Sequence, residues 1–113
     1  MMDRRKFTRR HLIFYLRIFD ENNILLGYLL DISEGGILMM SESEIPEGRK
    51  LKLSIKLPKE INEGDTLHFT GLVKRVNKDI NENFYDIGIE ILEKDKNYAE
   101  ILHKLVDFCG FFK

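Results

Sequence analysis

The residues best equipped for chemistry lie near the start of the sequence. "RRKFTRR" (Arg4 to Arg10) carries five cationic side chains in seven residues, with Phe7 and Thr8 between them. Such density suits an anion, whether a lipid surface, a nucleic acid or a small ligand. Within it, Arg5 and Arg9 stand four apart. A second stretch, "DISEGG" (Asp31 to Gly36), supplies groups of the opposite kind: carboxylates, a hydroxyl and two glycines. In extended chain, Asp31 and Ser33 point to the same side, and Gly36 then permits a turn that other residues would strain to make. The same stretch also suits a tight connection in which Asp31 and Ser33 hydrogen-bond nearby backbone amides.

Other chemistries find no constellation. His11, His68 and His103 are far apart and lack metal-ligand spacing, so no metal site is expected. Ser33 has no G-x-S-x-G context, and the Gly35–Gly36 pair is not followed by the Lys-Ser/Thr of a P-loop. Glu90 and Glu93 read as solvent-facing carboxylates. Cys109 is the only cysteine, which rules out an intrachain disulfide and a cysteine cluster. Binding rather than catalysis is expected. The net charge of -1 sets +5 in the arm against an acidic remainder, which favours a local anion site over a surface for long polyanions.

These groups must be positioned by a scaffold, and the 113 residues, 43% of them hydrophobic and 33% charged, suit one globular domain. "LIFYLRIF" (Leu12 to Phe19) reads as a strand ending at the turn "DENN". "ILLGYLLDIS" resumes from Ile24, "EGG" breaks the chain, and "ILMMS" is a short strand. "LKLSIKL" alternates strictly: Leu51, Leu53, Ile55 and Leu57 face one side, Lys52, Ser54 and Lys56 the other. "TLHFTGLVKRV" and "NFYDIGIEIL" are two further strands. Gly27, Gly71 and Gly88 inside strands predict bulges, curvature or close backbone approach, which together suggest a closed barrel. From Asn97 the period changes. Tyr98, Ile101, Leu102, Leu105, Val106 and Cys109 fall on one helical face, with Asn97 and Glu100 spaced as a capping box and Gly110 as a terminator.

The spacing thus predicts an all-β, six-stranded antiparallel barrel with a C-terminal helix at about 97–110, preceded by a flexible basic arm over residues 1–11. No apolar run is long enough to cross a bilayer, and the basic N-terminus lacks a signal-peptide h-region. A cytoplasmic location is expected.

"RKFTR" and the D-x-S-x-x-G pattern of "DISEGG", one strand apart and followed by further strands and a closing helix, resemble the PilZ domain. "TGLVKRV" and "YDIGIEIL" are similar to that family's last barrel strands. The resemblance covers nearly the whole chain and implies a bacterial, stand-alone, split-barrel receptor for the second messenger cyclic di-GMP, without enzymatic activity. It implies that Arg5 and Arg9 hold guanine and phosphate from the arm, with Asp31, Ser33 and Gly36 on the barrel, and Arg4 and Arg10 in secondary roles. The physical chemistry is consistent: arginine donates bidentately to guanine O6 and N7 and pairs with phosphate, while a carboxylate accepts from the guanine N1–H and N2–H₂ edge. On this reading the nucleotide orders the arm, and the new surface signals to a protein partner.

Two alternatives stand beside it. One is a PilZ-like docking or structural domain that binds no nucleotide. The other is a small barrel for RNA or single-stranded DNA, which would pair a basic groove with exposed aromatic platforms; here "IFYLRIF" looks core-directed. No DNA or RNA partner and no membrane insertion are therefore expected.

Overall fold

The computed structural model describes residues 16–57 and 66–109. Six strands and one helix follow in chain order: β1 (Arg17–Asp20), β2 (Leu25–Ile32), β3 (Gly36–Ser41), β4 (Lys50–Lys56), β5 (Thr66–Lys78), β6 (Tyr85–Lys94) and α1 (Tyr98–Cys109). The strands close into a barrel in the order β1-β2-β3-β6-β5-β4, with every neighbouring pair antiparallel. The expected architecture is the one observed. The basic arm, with Arg4, Arg5, Arg9 and Arg10, lies outside the described residues.

Alternation builds the inside of the barrel. In β4, Leu53 and Ile55 are buried while Lys52 and Lys56 are exposed. Ile18, Leu29, Met39, Leu67, Val73 and Ile87 bring the other five strands into the same core. Burying each such side chain contributes about 1.5–3 kcal/mol. Ser41 is the buried polar residue among those described; its hydroxyl donates to the Leu26 carbonyl at 2.7 Å and accepts from the Ser43 amide at 3.1 Å.

Strand glycines accompany slips in pairing. The register shifts beside Ile18, which faces Gly27, again between Thr70 and Gly71, and again between Val73 and Arg75, the latter facing Gly88. At each slip two residues on one strand oppose one on the other, and the strand bends. The "DENN" turn is held by Asp20, whose carboxylate accepts from the Asn22 and Ile24 amides at 2.8 and 2.9 Å. Asn23 takes the left-handed conformation there (φ 66°), which asparagine tolerates better than most residues.

α1 starts where the Asn97 carbonyl accepts from the Ile101 amide at 3.0 Å. Tyr98, Ile101, Leu102 and Leu105 form its buried face and join the barrel core. Glu100, His103 and Lys104 lie on the exposed side. No helix of the described residues is long and apolar enough to cross a membrane.

Candidate functional site

The "DISEGG" segment connects β2 to β3. Ile32 turns into the core, so its half-buried neighbours Asp31 and Ser33 both face outward. They line a cleft of about 300 Å³ with Gly36 and Leu38, and Lys74, Arg75, Gly88 and Glu90 complete it from β5 and β6. Carboxylate and hydroxyl therefore stand on one wall, with two adjacent cations on another. A larger groove of about 580 Å³, lined by Lys52, His68 and Glu93 among others, contains none of the motif residues.

Local hydrogen bonds shape the loop. The Asp31 carboxylate accepts from the Ile32 amide at 2.8 Å. The Ser33 amide donates to the Gly36 carbonyl at 2.9 Å, and the Ser33 hydroxyl reaches the same oxygen at 3.3 Å. The backbone bonds of a tight connection are present, and the same residues border the cleft. Gly36 corrects one expectation. Its φ is not positive, so no strained turn calls for glycine. Glycine is required instead because a β-carbon there would stand 2.8 Å from the Ile89 carbonyl oxygen of β6.

Sequence reasoning passed over Lys74 and Arg75. Strict alternation would turn one of two consecutive residues inward, yet the slip between Val73 and Arg75 leaves both exposed. The signal was available: two adjacent cations within an alternating strand are costly unless a bulge turns both outward. Arg75 lies beside Gly88, where a β-carbon would come within 3.7–3.8 Å of its guanidinium. Lys74 approaches Glu90 at 3.8 Å.

The loop is also tied to the rest of the barrel. Tyr98, buried at the start of α1, donates its hydroxyl to the Ser33 carbonyl at 2.6 Å. Burial, reinforced by the Glu34 charge, pushes the Tyr98 phenol well above its ordinary pKa, so it stays a donor. Away from the cleft, burial raises the Asp86 carboxyl to about 6, helped by the hydrogen bond that its protonated form donates to Asp79 and by the Asp79 charge. One Asp86 oxygen, Oδ1, is enclosed without a hydrogen-bond partner.

The Leu29 amide donates to the Leu16 carbonyl at 2.8 Å, two residues before Asp31. The first described residue therefore enters the barrel beside the strand that carries the cleft.

The sequence matches the PilZ domain over residues 3–108. No curated protein matches it. Among solved structures it is similar to the Bacillus subtilis inhibitor of motility, MotI/DgrA, with a TM-score of 0.61 and 23% identity. That match covers 84% of this chain and 44% of the other, so the chain spans less than half of that protein, and the likeness is one of fold. The family match, in contrast, runs through the barrel, the motif loop and nearly all of α1, and the chain belongs to the PilZ domain family, a family of cyclic di-GMP receptors.

Proposed function

We propose that this domain is a non-enzymatic receptor for cyclic di-GMP, with the cleft beside "DISEGG" as the barrel half of its site. The observation that carries this reading is the cleft itself, where Asp31 and Ser33 share one wall and Lys74 and Arg75 another. The ligand has two guanine edges and two phosphodiester charges. Asp31 accepts from a guanine N1–H and N2–H₂ edge, while Arg75 and Lys74 face phosphate or the guanine O6 and N7.

Arg5 and Arg9 supply the other half. Arg9 is seven residues before Leu16, a reach of up to ~25 Å for extended chain, and the Leu16 end enters beside the cleft strand. The nucleotide charge offsets repulsion among the arm's cations and draws the arm over the cleft. The covered cleft is the surface offered to a protein partner, with Arg4 and Arg10 adding charge at its rim.

Calorimetric titration tests the assignment. Wild type binds cyclic di-GMP at micromolar concentration, and Arg9→Ala and Asp31→Ala each lose that binding. Heat with single-stranded oligonucleotides but none with cyclic di-GMP overturns it. Hydrogen exchange over residues 4–10 that is equal with and without nucleotide would remove the ordering step while leaving binding intact.

A further inference from the structure

Three successive carbonyls of the motif loop are each held by groups more than fifty residues later in the chain, on the neighbouring strand β6 and at the start of α1. Ser33 O accepts from the Tyr98 hydroxyl at 2.6 Å, Glu34 O from Lys94 Nζ at 3.1 Å, and Gly35 O from the Ile91 amide at 2.9 Å. The fourth, Gly36 O, accepts from Ser33 within the loop. The peptide planes of the loop are thus set by the end of β6 and the first residue of α1.

Tyr98 is placed to act as a fixed donor. Its ring meets Phe69 of β5 edge-on, with centroids 6.4 Å apart and planes at 79°. Lys94 Nζ lies 5.1 Å from the ring centroid on its way to Glu34 O. A phenylalanine would fill the same apolar space. The hydroxyl adds only the bond to Ser33, whose side chain lines the cleft. A buried tyrosine needs such a partner, and this one found it in the backbone of the binding motif.

We propose that Tyr98 is a positioning residue for the nucleotide cleft, holding Ser33 from α1 so that ligand binding and helix docking stabilise each other. This rests on the cleft being the cyclic di-GMP site. Coupling of this kind is reciprocal: the factor by which a docked helix tightens the nucleotide is the factor by which nucleotide tightens the helix. α1 thereby becomes a second route, besides the arm, by which occupancy of the cleft reaches the outside of the molecule.

The test uses the full chain as wild type, Tyr98→Phe, Lys94→Met and, as a control, Ile55→Val in the β4 core. Each is titrated with cyclic di-GMP, melted, and followed by amide exchange with and without nucleotide. Losing one hydrogen bond corresponds to about five-fold weaker binding for Tyr98→Phe. Its Ser33 amide exchanges faster without ligand, and nucleotide protects α1 in wild type but less in the variant. Lys94→Met, altered at an exposed position, weakens binding in the same direction and keeps the test open if Tyr98→Phe folds poorly. Ile55→Val lowers the melting temperature but leaves affinity unchanged.

Wild-type affinity in Tyr98→Phe, or α1 exchange that ignores nucleotide, overturns the proposal. So does an affinity loss in Ile55→Val as large as that in Tyr98→Phe, which would mark general destabilisation. If wild type takes up no nucleotide, the receptor reading fails and the coupling fails with it. Ser33 exchange in Tyr98→Phe then decides whether the tyrosine positions the loop at all.

Discussion

A β-carbon added at Gly36 would meet the Ile89 carbonyl oxygen at 2.8 Å, and a backbone atom in a paired strand cannot swing aside. Gly36→Ala must therefore push β3 from β6 and is expected to cost about 1–3 kcal/mol. Urea unfolding without nucleotide measures this, and a midpoint equal to wild type would contradict it. Lost binding in that variant would report on the barrel, not on a ligand contact. At Gly88 the nearest atoms lie at ordinary contact distance and belong to the exposed Arg75 side chain, so the two glycines answer to different constraints. Asp31 and Ser33 were legible in the sequence because a period of two places both on one face. Arg75 was not, because the slip in β5 that turns it outward leaves no mark in the alternation except the Lys74–Arg75 pair itself.

α1 is the one helix of the described residues, and it caps the barrel through a single apolar face. Leu105 is fully buried in that face and far from the motif loop in sequence. Leu105→Ala removes its methyl groups and leaves a cavity, at a cost of about 2–5 kcal/mol. Chemical denaturation reads this loss; a change below 1 kcal/mol would mean that the helix packs more loosely than its burial indicates. The helix was legible from its 3.6-residue period and the strands from their alternation, since both patterns follow from one buried face. Strand partners were not. Nothing in the local pattern of β3 says that its second neighbour is β6, some fifty residues later. The role of Tyr98 was hidden for a related reason. At its helical position it reads as one more core residue, and only the three-dimensional meeting of α1 with the β2–β3 loop reveals the use of its hydroxyl.

At the scale of the whole molecule, stability against pH carries the mark of Asp86. Its carboxyl is raised from 3.8 to about 6, by burial first and by Asp79 second. Between those values the folded chain holds a proton that the unfolded chain has released, so the stabilising contribution is complete below about pH 4 and is lost as pH rises through 6. Asp86→Asn removes this trend and raises the melting temperature at pH 7. Melting curves from pH 4 to pH 8 test it; parallel profiles for the two proteins would show that the carboxyl is not under strain. The overall form, a six-stranded barrel and a helix around one core, was legible because every element declared its buried face. The cleft was half legible, since it joins a motif in the first third of the chain to cations on β5.

The bond between Tyr98 and Ser33 spans 65 residues. On the ribosome, at ~5–20 residues per second, the motif loop is made roughly 3–13 s before the tyrosine that fixes it. During that interval the Ser33 carbonyl lacks its folded-state donor, and a nascent chain that already displays "DISEGG" does not yet have the bond that ties the loop to α1. The folded form of the motif loop is therefore acquired late in synthesis, when α1 arrives.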